Sequence, residues 1–322
     1  MVAKIVVVGS CMIDLNCYSK RLPKCGETLT GDKFSIGFGG KGANQCVAAA
    51  RIGGEDVQAT LVARVGDDTF GADYLANLRK SNIDTEFVKV TPQQHSGVAQ
   101  ISVAETGDNT IVIVPGANTC LSAADVQAAR QRVEEADVAL FQFETPVGTT
   151  LEALRLRRAA GKGISIVNAA PAVADPDPEV FKLSDIFCVN ETEAEALTGL
   201  SLSAGEGPGA LVAAAGKAAE ALLQKGCRVV ILTLGAHGAV VADPSRLAAP
   251  RHIPASPTKA VDTTGAGDAF LGALAYFLAA RPHLELPEQV RRAMGYATLS
   301  VEKLGTQDSF PLRDSVPAEL LK

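Results

Sequence analysis

Short β-branched runs alternate along this chain with Ala- and Leu-rich amphipathic stretches. Several runs are apolar without a break, as is typical of strands covered by helices on both sheet faces. The alternation therefore predicts an α/β fold: a doubly wound, mostly parallel sheet with helices on both faces. The predicted core strands are Ile5–Val8, Gln58–Val65, Ala139–Phe143, Ile164–Asn168, Ile186–Val189, Val229–Thr233 and Ala239–Val241. The predicted helices are Gly42–Ile52, Phe70–Ser81, Ala123–Glu134, Gly148–Ala160, Glu191–Thr198, Ala210–Lys225, Gly267–Ala280 and Pro287–Leu304.

Polar side chains come at the ends of several of these apolar runs. They are Asp14, Glu144, Asn168, Asn190 and Thr233. In a sheet of this kind, ligands bind outside the carboxyl ends of the strands. The sequence therefore predicts that these side chains lie at one edge of the sheet, around a common site.

Two stretches, residues 14–36 and 96–115, break the alternation. Both contain strand-like pieces without helices between them. We expect these pieces to form a small β-sheet of antiparallel character, standing off the main body and exposed on one side. Residues 1–322 are thus predicted to be a single domain, with the small sheet formed by the two excursions.

Charge and composition exclude several classes of partner. The net charge is −6 and no basic tract occurs, so neither nucleic acid nor an anionic membrane surface is an expected partner. No apolar run approaches the roughly 18 residues that a membrane-spanning helix needs. Seven cysteines, an odd number without a Cys-x-x-Cys pair, indicate reduced thiols in an intracellular protein.

A segment of small residues near the C-terminal end carries the strongest chemical signal. Residues 262–270 read Asp-Thr-Thr-Gly-Ala-Gly-Asp-Ala-Phe, and an apolar helix is predicted to begin within them. Backbone N–H groups at a helix N-terminus are unpaired, and without bulky side chains an anion can approach them. With Asp268 at its edge, this anion hole suits phosphoryl transfer to a hydroxyl that must lose its proton. The alternative is a Gly-rich turn with an aspartate at a helix start.

A second Gly-rich segment, Gly37–Gln45, precedes an Ala-rich helical stretch. Its spacing fits the dinucleotide-binding fingerprint, but it lacks a clear preceding strand and the acidic residue expected about 20 residues later. Because Lys41 is followed by glycine, the segment is not a Walker A loop either. We interpret it as backbone amides and the Asn44 side chain closing around a polyhydroxylated ligand. A flexible hinge at a helix start is the alternative.

Five elements together resemble the ribokinase family of sugar kinases, the phosphofructokinase-B superfamily. In order, they are Gly-Ser-x-x-x-Asp at residues 9–14, Gly-Gly-Lys-Gly-Ala-Asn at 39–44, Asn-x-x-Glu at 190–193, Thr-Leu-Gly-Ala-His-Gly at 233–238, and residues 262–268. They span nearly the whole chain. The resemblance implies a cytoplasmic enzyme that uses ATP to phosphorylate D-ribose at its 5-hydroxyl, giving D-ribose 5-phosphate and ADP.

The resemblance also implies roles on the sugar side. Asp268 would be the general base, and the amides of Gly265, Ala266 and Gly267 would stabilise charge on the phosphoryl group. Met12 departs from the family, which often has asparagine there. Since a thioether pairs poorly with a hydroxyl, 2-deoxyribose would be tolerated better than usual. The residues implied to bind the sugar are Met12, Ile13, Asp14, Gly40, Lys41, Gly42, Ala43, Asn44, Glu144 and Asp268.

Nucleotide and metal sites follow from the same resemblance. Glu193 would organise the Mg²⁺ that accompanies ATP, through water, although Asn190 and Glu193 also fit a helix capping box. A monovalent cation, usually K⁺, would activate the enzyme from beside the anion hole, held largely by backbone carbonyls. The residues implied to bind ATP are Asn190, Glu193, Thr233, Leu234, Gly235, Ala236, His237, Gly238, Gly267 and Met294. Those implied for the cation are Asp262, Thr264, Ser300, Lys303, Gly305 and Ser309.

Residues 14–36 and 96–115 would form a β lid over the sugar, through which many relatives dimerise, so a homodimer is expected. Within the superfamily, 2-deoxyribose, a ketohexose or a nucleoside is an alternative substrate. A non-catalytic sugar-binding relative is an alternative of another class, and a nicotinamide-dependent oxidoreductase is the competitor at the level of the fold.

Overall fold

The computed structural model describes residues 2–202, 207–246 and 248–322. Its main sheet has the strand order β14-β13-β12-β11-β10-β9-β1-β4-β5, and β6 also pairs with β4. All pairs from β12 to β5 are parallel, whereas β13 and β14 add antiparallel strands at one edge. The strands of this sheet are β1 (Ala3–Val8), β4 (Val57–Gly66), β5 (Ile83–Asp84), β6 (Val88–Thr91), β9 (Val138–Phe141), β10 (Ile164–Asn168), β11 (Ile186–Val189), β12 (Val229–Thr233), β13 (Ala239–Ala242) and β14 (Arg251–Ile253).

Helices cover both faces of this sheet, which confirms the predicted fold class. Side chains alternate along β1, so that Ile5 and Val7 enter one apolar cluster and Val6 and Val8 enter the other. The first cluster packs on α1, α2, α9 and α10, and the second on α3–α8. The helices are α1 (Lys41–Gly53), α2 (Thr69–Lys80), α3 (Ala123–Ala128), α4 (Arg130–Glu135), α5 (Val147–Ala160), α6 (Glu179–Leu183), α7 (Glu191–Thr198), α8 (Pro208–Gln224), α9 (Ala266–Ala280), α10 (Leu286–Ser300) and α11 (Ala318–Leu321).

A separate four-stranded sheet has the order β3-β2-β7-β8. Its outer pairs are antiparallel, but β2 and β7 run parallel, because the chain passes through the main body between them. Asp14 therefore lies inside a strand of this second sheet, next to Gly37 and Ala99, rather than directly after β1. The four strands are β2 (Met12–Ser19), β3 (Lys33–Gly39), β7 (Gly97–Ala104) and β8 (Asn109–Val114).

The largest error in the predicted elements is at the helix expected over Pro287–Leu304. The helix ends at Ser300. Beyond it, the Val301 carbonyl accepts the N–H groups of Val261 and Asp262, at 2.7 and 3.1 Å. A tertiary contact with the segment before α9 thus replaces further helical hydrogen bonds, and the chain continues as a loop that ends in a short 3-10 helix, Gln307–Ser309. Within the described ranges, no helix is both long and apolar enough to cross a membrane.

Candidate active site

Helix α9 begins at the small-residue segment, as its composition predicts. Gly265 caps the helix with a φ of 77°, a left-handed conformation that favours glycine. A Cβ on Gly265 would also lie 2.6 Å from Thr306 Cγ2, whereas a Cβ on Gly267 would meet nothing within 4 Å. Protein packing thus accounts for the glycine at 265 and leaves the one at 267 facing open space. The first turn of α9 is consequently open to an incoming anion.

Asp268 lies in this first turn, is 8 % exposed and is held by two side-chain amides. Asn44 Nδ2 donates to one carboxylate oxygen at 2.9 Å, and Gln45 Nε2 donates to the other at 3.0 Å. Both amides come from α1, which approaches α9 closely at Gly272, where a Cβ would be 2.5 Å from the Gln45 carbonyl oxygen. The two Gly-rich segments of the sequence therefore meet at Asp268, although more than 220 residues separate them.

The first Gly-rich segment packs tightly against the corner between β1 and β2. A Cβ on Gly40 would lie 2.7 Å from the Met12 nitrogen, and one on Gly42 would lie 2.4 Å from the Ser10 nitrogen. Gly40 also has a φ of 89°. Close backbone contact, rather than hinge flexibility, therefore explains these glycines. It also places Ala43, which is fully buried, and the amide of Lys41 at the start of α1.

Three acidic groups, Asp14, Glu144 and Asp268, interact on the predicted sugar side of the site. The Glu144 carboxylate accepts Ser10 Oγ at 2.5 Å and the Lys41 backbone N–H at 2.8 Å. Burial, together with the smaller repulsion from Glu144 and Asp268, raises the pKa of Asp14 to about 7. Within the described residues, no hydrogen bond reaches the Asp14 carboxylate; Asn16 Nδ2 donates to the Asp14 backbone carbonyl instead, at 3.4 Å. A desolvated carboxylate of this kind is well placed to accept hydrogen bonds from a polyol.

Met12 and Ile13 differ in what they contact. Met12 is two residues from Asp14 on β2, so both point to the same face of the second sheet. It is buried, yet it belongs to neither apolar cluster of the main body, whereas Ile13 is part of the first cluster. The structure thus places Met12 on the Asp14 side and Ile13 in the core.

A cleft of about 200 Å³ opens beside Asp268 at the carboxyl ends of the parallel strands. Burial lowers the pKa of Lys41, but the surrounding carboxylates outweigh it and the net shift is upward. Asp268 contributes most to this attraction, followed by Glu144 and Glu193. The ammonium group is therefore a fixed positive charge at the cleft. The polar and small residues lining the cleft are Lys41, Asn168, Ala170, Cys188, Asn190, Glu193, Thr233, Thr263, Gly265, Ala266, Gly267 and Asp268.

Asn190 and Glu193 form a capping box at the start of α7, which was the alternative hypothesis for the Asn-x-x-Glu motif. Asn190 Oδ1 accepts the Glu193 N–H at 2.9 Å, and Glu193 Oε2 accepts the Asn190 N–H at 2.9 Å. Both residues nevertheless line the cleft, and burial raises the pKa of Glu193. Capping occupies one carboxylate oxygen and leaves the second available to a ligand.

The remaining predicted nucleotide residues are divided between the cleft, the surface and the core. Thr233 lines the cleft, and the turn of Gly235, Ala236 and His237 after it is exposed. Leu234 is buried and its N–H donates to the Gly238 carbonyl at 2.7 Å, which closes the turn. Met294 is 8 % exposed within the first apolar cluster and is not among the cleft-lining residues.

The predicted cation residues lie on two loops that Asp262 joins. Its carboxylate accepts the Thr264 N–H and the Gly305 N–H, both at 2.9 Å. Ser300 and Ser309 are buried, and their hydroxyls donate to the carbonyls of Ala297 and Thr306, both at 2.8 Å. Lys303 is exposed. In the described ranges, no group of three or more His, Cys, Asp or Glu side chains has the arrangement of a metal site.

Comparison with known proteins identifies this arrangement. A match to pfkB family carbohydrate kinases covers residues 2–313. The chain belongs to the pfkB family of carbohydrate kinases. It is 48 % identical to mouse ribokinase over 318 residues, which cover 99 % of this chain and 95 % of the mouse protein. It is also 36 % identical to deoxyribokinase of Salmonella typhi, with 95 % of each protein covered.

Solved structures agree with this pfkB assignment. The structure of Arabidopsis thaliana ribokinase complexed with ribose and ATP superimposes with a TM-score of 0.84 at 29 % identity. The match covers 100 % of this chain and 99 % of the Arabidopsis chain.

Sequence reasoning missed a set of buried polar residues around the pfkB motifs. Gln45 donates to Asp268 and also to Asn168 Oδ1, at 3.2 Å. Gln307 Nε2 donates to Asn44 Oδ1 at 2.9 Å from the loop after α10. The only sequence signal was the position of Gln45 beside Asn44, just before the apolar stretch Cys46–Ala50 of α1. Nothing in the sequence near Gln307 indicated contact with a residue more than 260 positions away.

Proposed function

We propose that this pfkB kinase transfers the γ-phosphoryl group of ATP to the 5-hydroxyl of D-ribose. The observation that carries the proposal is the position of Asp268. It lies between the open N-terminus of α9 and the polar side chains of the sugar side, so one carboxylate borders both substrates. The extent of identity to mouse ribokinase supports ribose as the sugar.

In this reaction, Asp268 accepts the proton of the 5-hydroxyl as its oxygen attacks the γ-phosphorus. The bond from the γ-phosphorus to the bridging oxygen breaks, ADP leaves, and Asp268 later releases the proton to solvent. The N–H groups of Gly265, Ala266 and Gly267 offset negative charge on the transferring group. Phosphoryl transfer needs mainly positioning and charge neutralisation, and the first turn of α9 offers both.

On the sugar side, we propose that Asp14 and Glu144 accept hydroxyl hydrogen bonds and that the backbone of Gly40 and the side chain of Asn44 border the ring. The second sheet, which carries Asp14 and Met12, covers the sugar. The absence of a protein donor to the Asp14 carboxylate in the described structure supports this role, because sugar hydroxyls would provide the donors.

On the nucleotide side, Asn190, Thr233 and the turn after β12 would contact ATP. When bound, Mg²⁺ neutralises charge on the phosphates. The free oxygen of Glu193 fits an outer-sphere role through water better than a direct carboxylate cage. Lys41, held positive by its neighbours, would orient phosphate oxygens at the junction of the two substrates.

We also propose that a monovalent cation, K⁺, binds between the two loops that Asp262 joins. Their backbone carbonyls are hard oxygen ligands, and Asp262 contributes negative charge beside them. The loop of Gly305 and Ser309 leads directly to the N-terminal cap of α9, since Thr306 contacts Gly265. This proximity supports an effect of the cation on the anion hole.

A homodimer through the second sheet is the proposed assembly. Its edge strand β8 is exposed throughout, and Ile111, Val112, Ile113 and Val114 are each between 47 and 60 % exposed. Contiguous exposed apolar residues on an edge strand are a liability unless a partner covers them. The seven free cysteines support a reducing cytoplasmic location.

The proposed function is tested by ATP-to-ADP turnover with D-ribose, 2-deoxyribose, fructose and adenosine, each with and without K⁺. We expect ribose-dependent turnover that K⁺ stimulates and a product phosphorylated at the 5-position. Turnover with another sugar alone would contradict the choice of ribose. No turnover with any of the four would favour a sugar-binding protein instead.

Deoxyribose is the second candidate substrate, and Met12 is the observation that favours it. Its thioether lies on the Asp14 face and cannot donate a hydrogen bond to the sugar. The 36 % identity to the Salmonella deoxyribokinase is in keeping with this candidate.

A further inference from the structure

A chain of buried side chains backs the amide that holds Asp268. Gln307, 4 % exposed, donates from Nε2 to Asn44 Oδ1 at 2.9 Å and to the Tyr74 hydroxyl at 3.1 Å. The Tyr74 hydroxyl in turn donates to the backbone carbonyl of Gly39. Asn44 completes the chain with its hydrogen bond to Asp268.

The direction of this chain is fixed at one end. A backbone carbonyl can only accept a hydrogen bond, so the Tyr74 hydroxyl must donate to Gly39 and accept from Gln307. Gln307 therefore presents its NH₂ group to Tyr74 and Asn44. Asn77 Nδ2 donates to Gln307 Oε1 at 2.9 Å, which favours the same orientation.

The orientation of the Asn44 amide has to be fixed by its surroundings. A 180° rotation of the side-chain amide exchanges its oxygen and its NH₂ group and leaves its shape nearly unchanged. In one orientation Asn44 gives Asp268 an N–H donor, and in the other it gives a carbonyl oxygen, which repels the carboxylate. Asn44 itself does not determine which end faces Asp268. The donor on Asn44 Oδ1 determines it, and that donor is Gln307.

The backbone of Gln307 is also anchored to α1. Arg51 donates to the Gln307 carbonyl at 2.5 Å and to the Phe310 carbonyl at 3.0 Å. The loop after α10 is thus tied to the helix of Asn44 by both backbone and side chain. A shift of this loop would move the group that orients Asn44.

We propose that Gln307 is a positioning residue that fixes the Asn44 amide so that its N–H group faces Asp268. This rests on the proposed function, in which Asp268 is the general base. Gln307 is not among the residues that line the cleft, so its effect on turnover would pass through Asn44. Misplacement of a catalytic group by about 1 Å can cost on the order of 100-fold in rate.

Three variants test the proposal. Gln307→Glu keeps the shape but replaces the donor with an oxygen that repels Asn44 Oδ1, and Gln307→Met removes the donor without adding charge. Gln289→Glu is the matched control. Gln289 is 3 % exposed and donates to the carbonyls of Phe277 and Arg281, at the opposite end of α9.

We expect Gln307→Glu to lower kcat with ribose about 10- to 100-fold, and Gln307→Met to lower it less. The KM for ATP should stay within about twofold, because the proposed function assigns Asn44 to the sugar and not to ATP. Gln289→Glu should lower Tm and leave kcat of the folded enzyme unchanged. If Gln307→Glu does not fold, the kcat of Gln307→Met tests the proposal in its place.

The proposal is overturned if folded Gln307→Glu or Gln307→Met retains wild-type kcat. It is also overturned if Gln289→Glu lowers kcat as much as the Gln307 variants do. Wild-type turnover, measured first, separates this result from failure of the proposed function. Should the wild type not act on ribose, high-resolution crystal structures of the wild type and both Gln307 variants would show whether Gln307 fixes the orientation of the Asn44 amide. An Asn44 NH₂ group that still donates to Asp268 in both variants would contradict the inference.

Discussion

The Asn44 amide and the Asp268 carboxylate are joined by a hydrogen bond of 2.9 Å across 224 positions of sequence. The bond links the first turn of α1 to the first turn of α9, the two helices that begin at the Gly-rich segments. Because Gln45 holds the other carboxylate oxygen, Asp268 has little freedom to rotate. A base that is already oriented loses less entropy in the transition state.

Substitution of Asp268 by asparagine should remove the base and preserve the fold. General-base removal typically costs about 10²–10⁴-fold in rate, so we expect kcat of Asp268→Asn to fall by at least 100-fold. A coupled ADP-release assay measures kcat, and thermal unfolding checks that Tm is little changed. Turnover within threefold of the wild type would rule out Asp268 as the base.

Alanine at Gly267 and at Gly265 should have opposite consequences. At Gly267 the added Cβ meets no protein atom, so Tm should be unchanged or slightly higher, since alanine favours helix. The methyl group would nevertheless hinder an anion approaching the amides, and kcat should fall at least tenfold. At Gly265, with a φ of 77° and Thr306 only 2.6 Å from the new Cβ, alanine should lower Tm by several degrees. Equal effects on Tm would contradict the open-face interpretation of Gly267.

The sequence was most informative where one segment determines its own structure. The strand over Ile164–Asn168 and the helix over Glu191–Thr198 have the predicted bounds, because apolar patterning and local capping define them. The two-residue strand β5 was missed, since Ile83 and Asp84 are too few to form a pattern.

The candidate site was only partly predictable for a related reason. Motifs identified Asp268 and Asn44, yet the buried amides that hold them come from distant positions. Gln307 is in a loop whose place is determined by packing on α1 and α9, which no local pattern encodes. Likewise, α10 ends at Ser300 because of the carbonyl contact of Val301 with residues before α9.

The raised pKa of Asp14 predicts a pH-dependent stability difference. An unfolded aspartate has a pKa of about 3.9, against about 7 in the folded protein. The stability contributed by protonated Asp14 is full below about pH 4 and is lost as the pH rises through 7. Asparagine at position 14 does not titrate, so Asp14→Asn avoids this loss. The free energy of unfolding of Asp14→Asn minus that of the wild type should therefore rise by on the order of 2 kcal/mol between pH 5 and 8.

Urea unfolding at several pH values measures that difference. Asp73→Asn, at an exposed position on α2, is the matched control and should show no such trend. A flat difference for Asp14→Asn as well would mean that Asp14 is not desolvated as the structure indicates.

Replacing Met12 with asparagine should shift sugar preference towards ribose. An amide on the Asp14 face can pair with a hydroxyl that the thioether leaves unpartnered. We expect the ratio of kcat/KM for ribose to that for 2-deoxyribose to rise about tenfold, the equivalent of one hydrogen bond of about 1.4 kcal/mol. Both sugars are measured on the same preparation, so the ratio is independent of the folded fraction. An unchanged ratio would place Met12 away from the sugar.

A charge on the outward face of the second sheet should separate the proposed dimer. Cross-strand pairing places Phe34, Ile36 and Val112 on the face opposite Asp14. Ile36 is 54 % exposed in the single chain. Ile36→Lys would bury an unpaired ammonium in the interface, so the molar mass from light scattering should fall from twice that of the 33.3 kDa chain towards a single chain.

Val90→Lys provides the control for that experiment. Val90 is 44 % exposed on β6 of the main sheet, outside the proposed interface, so this variant should keep the molar mass of the wild type. Because the second sheet carries Asp14, loss of the dimer should also raise the KM for the sugar more than that for ATP. A wild-type protein that is monomeric at micromolar concentration, or an Ile36→Lys variant that stays dimeric, would contradict assembly through this face.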